Sequence, residues 1–218
     1  MAPRRHKNHP RCWGCRMHPE HCICALVPRL ETSTRLALVA HRRELKKTTN
    51  SGLLAVRCLG ERARVFQWGD EGTVIEPGEL VPDGHQGVVL TPVRSQPLDA
   101  EALRRDGRPV VVVVPDGTWR QANKMTWRIP ALAALPKVAL PPGPPSRYRL
   151  REEPRDDGLA TFEAIARIFG ALEGPAVQAA MERVFDAMVT RTLATRGVFD
   201  HPPHGGHEEP SPPAEPGV

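Results

Sequence analysis

The chain has 218 residues, of which 25% are charged and 40% hydrophobic, and its formal net charge is +5 at pH 7. This length suits one main domain with a small appendage rather than two full domains. Because the sequence contains neither a membrane-length apolar run nor an apolar signal segment, we expect a cytoplasmic protein with no membrane partner. The positive charge favours a polyanionic partner such as nucleic acid.

A basic arm from Met1 to Arg11 opens the chain, and four cysteines follow it in the segment CWGCRMHPEHCIC. We expect the arm to be disordered, because it has few apolar residues to bury. A CxxC pair and a CxC pair separated by six residues favour a tetrahedral structural zinc site, since each pair can chelate one ion. Redox cysteines are an alternative, as is a site in which His18 or His21 replaces a thiolate. The predicted ligands are Cys12, Cys15, Cys22 and Cys24.

Apolar strands then alternate with helical segments. We predict strands at 35–40, 87–90 and 110–114, and helices at about 50–60, 98–105 and 118–128. The run VVVVV at 110–114 is apolar on both faces, which is typical of a central parallel strand. Two more helices follow from apolar residues at helical spacing, at Phe162, Ile165, Phe169 and Leu172 and at Val177, Met181, Val184 and Met188. This alternation predicts an α/β fold, a mainly parallel sheet flanked by helices.

The turn Pro115-Asp116-Gly117-Thr118-Trp119 joins the predicted central strand to the next helix. Ligands of open α/β sheets bind beyond the carboxyl ends of the strands, so Asp116 is a candidate for an active site. The structural alternative is that Asp-Gly forms a common turn, Thr118 caps the helix and Trp119 packs on the core. The turn alone does not separate these two interpretations.

The chain closes with DHPPHGGHEEPSPPAEPGV, a segment of Pro, Gly, His and acidic residues that cannot form a core. We assign no function to its histidines. The predicted organisation is therefore a basic arm and zinc knuckle at 1–30, a main α/β domain at 31–196 and a disordered tail at 197–218.

Five features occur in the order found in the DTW-domain family of tRNA-uridine aminocarboxypropyltransferases, and the chain resembles this family from about Cys12 to Leu172. They are the cysteine cluster, HRRELKKTTNSGLLA at 41–55, VVPDGTWRQANKM at 113–125, YRLRE at 148–152 and LATFEA at 159–164. Two positions depart from the family pattern. Ser51 stands where Thr is usual, and Thr91, before Pro92, stands where an aromatic residue is common. The resemblance implies a SPOUT-like α/β fold, because the family is related to an rRNA-modifying group with that fold.

The resemblance implies transfer of the 3-amino-3-carboxypropyl group of S-adenosylmethionine to N3 of a tRNA uridine, with release of methylthioadenosine. Uracil N3 carries a weakly acidic proton, so a carboxylate is needed to accept that proton or to orient the ring. Asp116 is the candidate for this catalytic role. Trp119 would stack on the uracil or the adenine, or else anchor the core.

The resemblance also implies donor contacts from several motifs. Arg149 or Arg151 would clamp the donor carboxylate, and the turn 49–51 would face the site from a helix start. The structural alternatives are that this turn is an N-cap, that the arginines pair with neighbouring glutamates, and that Thr161 caps a helix with Glu163 in its first turn. The predicted donor contacts are Thr49, Asn50, Ser51, Pro92, Asp116, Gly117, Thr118, Arg149, Arg151 and Thr161.

Contacts with tRNA phosphates are expected from the basic arm, from Arg42, Arg43, Lys46 and Lys47, and from the segment 147–151, although charge runs are usually solvated faces. Two other functions stay open. One is an S-adenosylmethionine-dependent RNA methyltransferase, in which the donor methyl group faces the uracil. The other is a non-catalytic zinc-containing RNA-binding module. The sequence does not predict the oligomeric state.

Overall fold

A computed structural model describes residues 11–48, 50–150 and 158–197. Most of the basic arm, Thr49, Arg151 and the tail from 198 onward therefore lie outside the described residues. Within these residues six strands form one sheet, in the order β2-β1-β5-β3-β6-β4, and every neighbouring pair is parallel. The strands are β1 Arg35–His41, β2 Ala63–Trp68, β3 Gln86–Leu90, β4 Gln96–Pro97, β5 Val110–Asp116 and β6 Lys137–Ala139. The parallel sheet predicted from the sequence is confirmed.

Helices cover both faces of the sheet. They are α1 Arg42–Leu45, α2 Gly52–Leu59, α3 Pro77–Leu80, α4 Ala100–Arg105, α5 Trp119–Arg128, α6 Pro130–Ala133, α7 Thr161–Glu173 and α8 Pro175–Thr195. Successive strand residues point to opposite faces, so two cores form. Leu38, Val112 and the other strand residues on the same face pack against α2, α7 and α8. Val39, Val113 and their alternates pack against α3, α5 and α6.

Strand β5 holds the centre of the sheet. It pairs with β1 on one side and β3 on the other, and all seven of its residues are buried. The valine run therefore contacts both cores, as the sequence indicates. Asp116 ends the strand opposite Ala40 of β1, so its side chain reaches the carboxyl edge of the sheet.

The cysteine-rich segment packs onto the main domain. Met17 and Ile23 are buried in the same core as α2, α7 and α8. Arg191 of α8 donates a hydrogen bond to the carbonyl of Cys22. The segment thus shares the core of the larger domain. In the described part of the chain, no helix combines the length and apolarity required to span a bilayer.

Candidate active site

A cavity of about 310 Å³ opens where β1, β5 and β3 end. This volume is at the lower end of the range typical of small-molecule sites. Its position beyond the carboxyl ends of parallel strands is the usual ligand position of open α/β sheets. The polar wall residues include Glu44, Asn50, Ser51, Thr91, Asp116, Thr118, Asn123 and Thr161. The apolar wall residues include Leu90, Pro92, Val93 and Leu159.

The carboxylate of Asp116 is held by two hydrogen bonds from distant segments. Asn50 Nδ2 donates to Oδ2 and Thr161 Oγ1 donates to Oδ1, each at 2.6 Å. The residue is 5% exposed and lines the cavity. Both donors stabilise the charged carboxylate and fix its plane. A Cβ at Gly52 would lie 3.2 Å from Oδ2, so glycine at this position leaves room for the carboxylate.

Asn50 also organises the start of α2. Its Oδ1 accepts a hydrogen bond at 2.8 Å from the backbone N–H of Leu53, while its Nδ2 donates to Asp116. The side chain therefore caps the helix and positions the carboxylate, while its contact with a donor stays a prediction. Ser51 Oγ accepts from the N–H of Phe162 at 3.4 Å, which ties the start of α2 to α7.

Glu163, and not Thr161, accepts the backbone N–H of the residue that precedes α7. Its carboxylate accepts from the N–H of Ala160 at 2.9 Å and from the N–H of Arg147 at 2.7 Å. The proposal that Thr161 caps this helix is therefore wrong, because its hydroxyl points to Asp116 instead. Glu163 fixes both the helix start and the loop near Tyr148, another wall residue.

The turn before α5 is a capping box. Thr118 Oγ1 accepts from the N–H of Gln121 at 3.3 Å, and Gln121 Oε1 accepts from the N–H of Thr118 at 2.8 Å. Thr118 is thus an N-cap, the structural alternative given above, and it also lines the cavity together with Gly117 and Trp119. Trp119 is half-buried. The wall opposite contains Thr91, whose Oγ1 accepts from the N–H of Val93 at 3.3 Å.

Glu44 is a wall residue that sequence analysis missed. It lies in α1 within HRRELKK, is 3% exposed and forms an ion pair with Lys47. A glutamate surrounded by four cations resembles a solvated surface residue, so only its burial in the fold identifies it. Among the described wall residues, Glu44 and Asp116 are acidic and none is Lys or Arg.

Several predicted basic contacts lie elsewhere. Arg149 is exposed and is not among the described residues that line the cavity. Thr49 and Arg151 lie outside the described residues. Arg42 pairs with Asp70 at 3.2 Å, and Arg147 pairs with Glu182 at 3.1 Å and Asp186 at 2.9 Å. These ion pairs partly neutralise the basic segments expected to contact RNA.

The four N-terminal cysteines meet at one point. Their sulfur atoms all lie within 4.8 Å of one another, and adjacent pairs such as Cys12–Cys24 and Cys15–Cys22 are 3.4 and 3.8 Å apart. Tetrahedral zinc with Zn–S bonds of about 2.3 Å needs sulfurs about 3.8 Å apart. A Cβ at Gly14 would lie 2.7 Å from Cys24 Sγ, so this close approach requires glycine. The geometry fits a four-thiolate metal site.

The ionisation of the cluster is uneven. The backbone N–H of Cys15, with the neighbouring thiols, lowers the pKa of Cys12 to about 6. The backbone N–H of Cys24 lowers the pKa of Cys22, but the adjacent thiols and burial outweigh it and raise that pKa to about 12. One thiolate therefore opposes ionisation of the next. The guanidinium of Arg57, 3.4 Å from Cys24 Sγ, offsets part of this charge.

The sequence matches a known family profile, described as the DTW domain, over residues 9–193. Curated proteins named tRNA-uridine aminocarboxypropyltransferase 2 are also similar. The protein of Mus musculus is 26% identical over 170 residues, covering 75% of this chain and 57% of the relative. That of Drosophila melanogaster is 26% identical over 172 residues, covering 75% and 66%.

The chain thus spans less than two thirds of the length of these relatives. The protein of Macaca fascicularis gives the same result, with 25% identity over 172 residues and 58% of its length covered. No solved structure matches the chain significantly.

Proposed function

Since the chain belongs to the DTW-domain family, we propose that it is a tRNA-uridine aminocarboxypropyltransferase, as its curated relatives are named. The donor would be S-adenosylmethionine and the acceptor N3 of a uridine in tRNA, with methylthioadenosine released. The observation that carries the proposal is the carboxylate of Asp116, held by Asn50 and Thr161 in the wall of a cavity at the strand ends.

The charge of the cavity supports a cationic donor. Glu44 and Asp116 are the acidic residues of the described wall, which contains no Lys or Arg. S-adenosylmethionine brings a sulfonium centre, which makes its carbon chain transferable, and an ammonium group. The carboxylate of Asp116, together with that of Glu44, whose charge Lys47 partly offsets, favours such a ligand. Leu90, Pro92 and Val93 line the cavity and would offer apolar surface to the adenosine part, with Pro92 as a proposed donor contact.

Asp116 is proposed to accept the N3 proton of uracil as N3 attacks the carbon next to sulfur. The carbon–sulfur bond breaks, and its electron pair stays on the departing thioether. The hydrogen bonds from Asn50 and Thr161 keep the carboxylate oriented, so little reorganisation is needed at the reacting atoms. A positioned base contributes about 10²–10⁴-fold. Trp119, half-buried at the cavity, would stack on the uracil or the adenine.

Other predicted contacts remain proposals. Ser51, Gly117 and Thr118 line the cavity and would contact the donor through hydroxyl or backbone groups. Donor contacts are proposed for Thr49 and Arg151 as well, and both residues lie outside those that the structure describes. A cytoplasmic location is the setting that suits a tRNA substrate.

The cysteine cluster is proposed to hold a structural zinc ion through Cys12, Cys15, Cys22 and Cys24. Zinc would neutralise the charge of four adjacent thiolates and so stabilise the folded segment. We expect purified protein to contain zinc, and Cys12→Ser to lose it with a lower melting temperature. Protein free of zinc, together with a Cys12→Ser variant that melts like the wild type, would remove this proposal.

Product analysis tests the reaction. The protein is incubated with unmodified tRNA and S-adenosylmethionine, and the tRNA is digested to nucleosides for mass spectrometry. The proposal predicts aminocarboxypropyl-uridine and methylthioadenosine. Methyluridine with S-adenosylhomocysteine would instead establish the methyltransferase alternative, and unchanged tRNA that nevertheless binds would favour the non-catalytic module.

A further inference from the structure

The outward side of α5 is strongly basic. The helix sequence WRQANKMTWR contains Arg120, Lys124 and Arg128 and no acidic residue. These three cations are exposed, whereas Met125 is fully buried on the opposite side. Like charges along one face of a helix repel one another weakly, so an anionic partner would stabilise this face.

An exposed tryptophan lies among these cations. Trp127 is 37% exposed, and its Nε1 donates to Asn123 Oδ1 at 3.2 Å. The ammonium of Lys137 lies 4.9 Å from the ring centroid and the guanidinium of Arg94 lies 5.8 Å from it. Asn123 lines the active-site cavity, and Trp127 contacts it one helical turn further along α5.

Two further features mark the same region. Arg94 has a φ of 50°, a conformation that costs free energy for a residue with a side chain and is common at binding sites. One turn before Trp127 on the same helix, Lys124 lies 5.8 Å from the ring centroid of Trp68 at the end of β2. Two aromatic rings near α5, those of Trp68 and Trp127, therefore each lie beside a cationic side chain.

We propose that Arg94, Lys124, Trp127 and Lys137, the outer α5 surface, bind the single-stranded RNA segment that flanks the target uridine. A neighbouring base stacks on Trp127 in place of the Arg94 guanidinium, and the three cations contact phosphates. Sequence-tolerant binding of single strands uses this combination of aromatic rings and cations. The inference rests on the proposed function, because it assumes that a tRNA uridine enters the adjoining cavity.

Fluorescence anisotropy with a labelled, unmodified tRNA transcript tests the surface. Trp127→Ala should weaken binding about 5- to 150-fold, the range given by loss of one base stack. Trp127→Phe keeps a ring and should restore most of the affinity. Arg94→Ala should also weaken binding, whereas Arg105→Ala, which removes the same charge from the exposed side of α4, should not.

Kinetics separate this inference from the proposed reaction. If the wild type transfers the group, Trp127→Ala should raise the KM for tRNA while leaving kcat near the wild-type value. If the wild type proves inactive but Trp127→Ala still loses affinity, the reaction is wrong and the surface stands. Wild-type affinity in both Trp127→Ala and Arg94→Ala overturns the surface. Loss of affinity in Arg94→Ala alone shows binding by charge without stacking and also overturns it.

Discussion

The two ends of α5 border surfaces of opposite charge. Near Trp119 and Asn123 the helix borders a cavity whose described wall carries the carboxylates of Glu44 and Asp116. A few residues further on, the outer α5 surface carries exposed Arg94 and half-buried Lys137 beside Trp127. The cavity favours a small cation and the outer α5 surface favours a polyanion, because each ligand is repelled by the other surface. The comparison indicates that donor and RNA are bound by separable sets of residues.

Replacing the carboxylate should give the largest effect. Asp116→Asn keeps the size of the side chain but removes the proton acceptor, so transfer at saturating tRNA and donor should slow by about 10²–10⁴-fold. The affinity for tRNA should stay within about twofold of wild type, since the substitution in the cavity leaves the outer α5 surface unchanged. Single-turnover rates and tRNA binding measure the two effects. Equal losses of transfer rate and of tRNA affinity would show that the donor site and the RNA surface are not separable.

Removing one hydrogen bond to that carboxylate should have a smaller effect. Thr161→Val deletes the 2.6 Å hydrogen bond to Oδ1, and loss of a bond to a charged group corresponds to about 10- to 150-fold in rate. Thr161→Ser retains the hydroxyl and is the matched control. Wild-type turnover in Thr161→Val would show that the orientation of Asp116 is unimportant.

The smallest predicted effect is on the salt dependence of binding, which should differ between the two surfaces. Each phosphate contact with single-stranded RNA contributes about 0.7 to the slope of log affinity against log salt. The double variant Arg94→Ala/Lys137→Ala should therefore reduce that slope by about 1.4, as measured by tRNA titrations between low and moderate salt. Binding of S-adenosylmethionine should show the same salt response in the variant and in the wild type.

Much of the sheet could be predicted because its central strands have a clear pattern. The valine run of β5 is apolar on both faces, and the structure places it between β1 and β3. Strand β2 was not predicted, because it is an edge strand with exposed residues such as Arg64 and Gln67. Strands β4 and β6 have only two and three residues, so their pairing depends on neighbouring segments and not on their own sequence.

The site was less predictable because its residues come from distant parts of the chain. Asp116 follows a strand, which is a local signal, but its partner Asn50 is 66 residues away. Only the family resemblance grouped these motifs. Glu44 is hidden among basic residues in the sequence. Arg94, Trp127 and Lys137 belong to three separate segments, and no sequence periodicity relates them.

A crystal structure of the protein with S-adenosylmethionine tests the account most directly. We predict that the donor occupies the cavity at the ends of β1, β5 and β3, with the methylene of its aminocarboxypropyl chain facing Asp116. A donor bound elsewhere, or one whose methyl group faces that carboxylate, would contradict it.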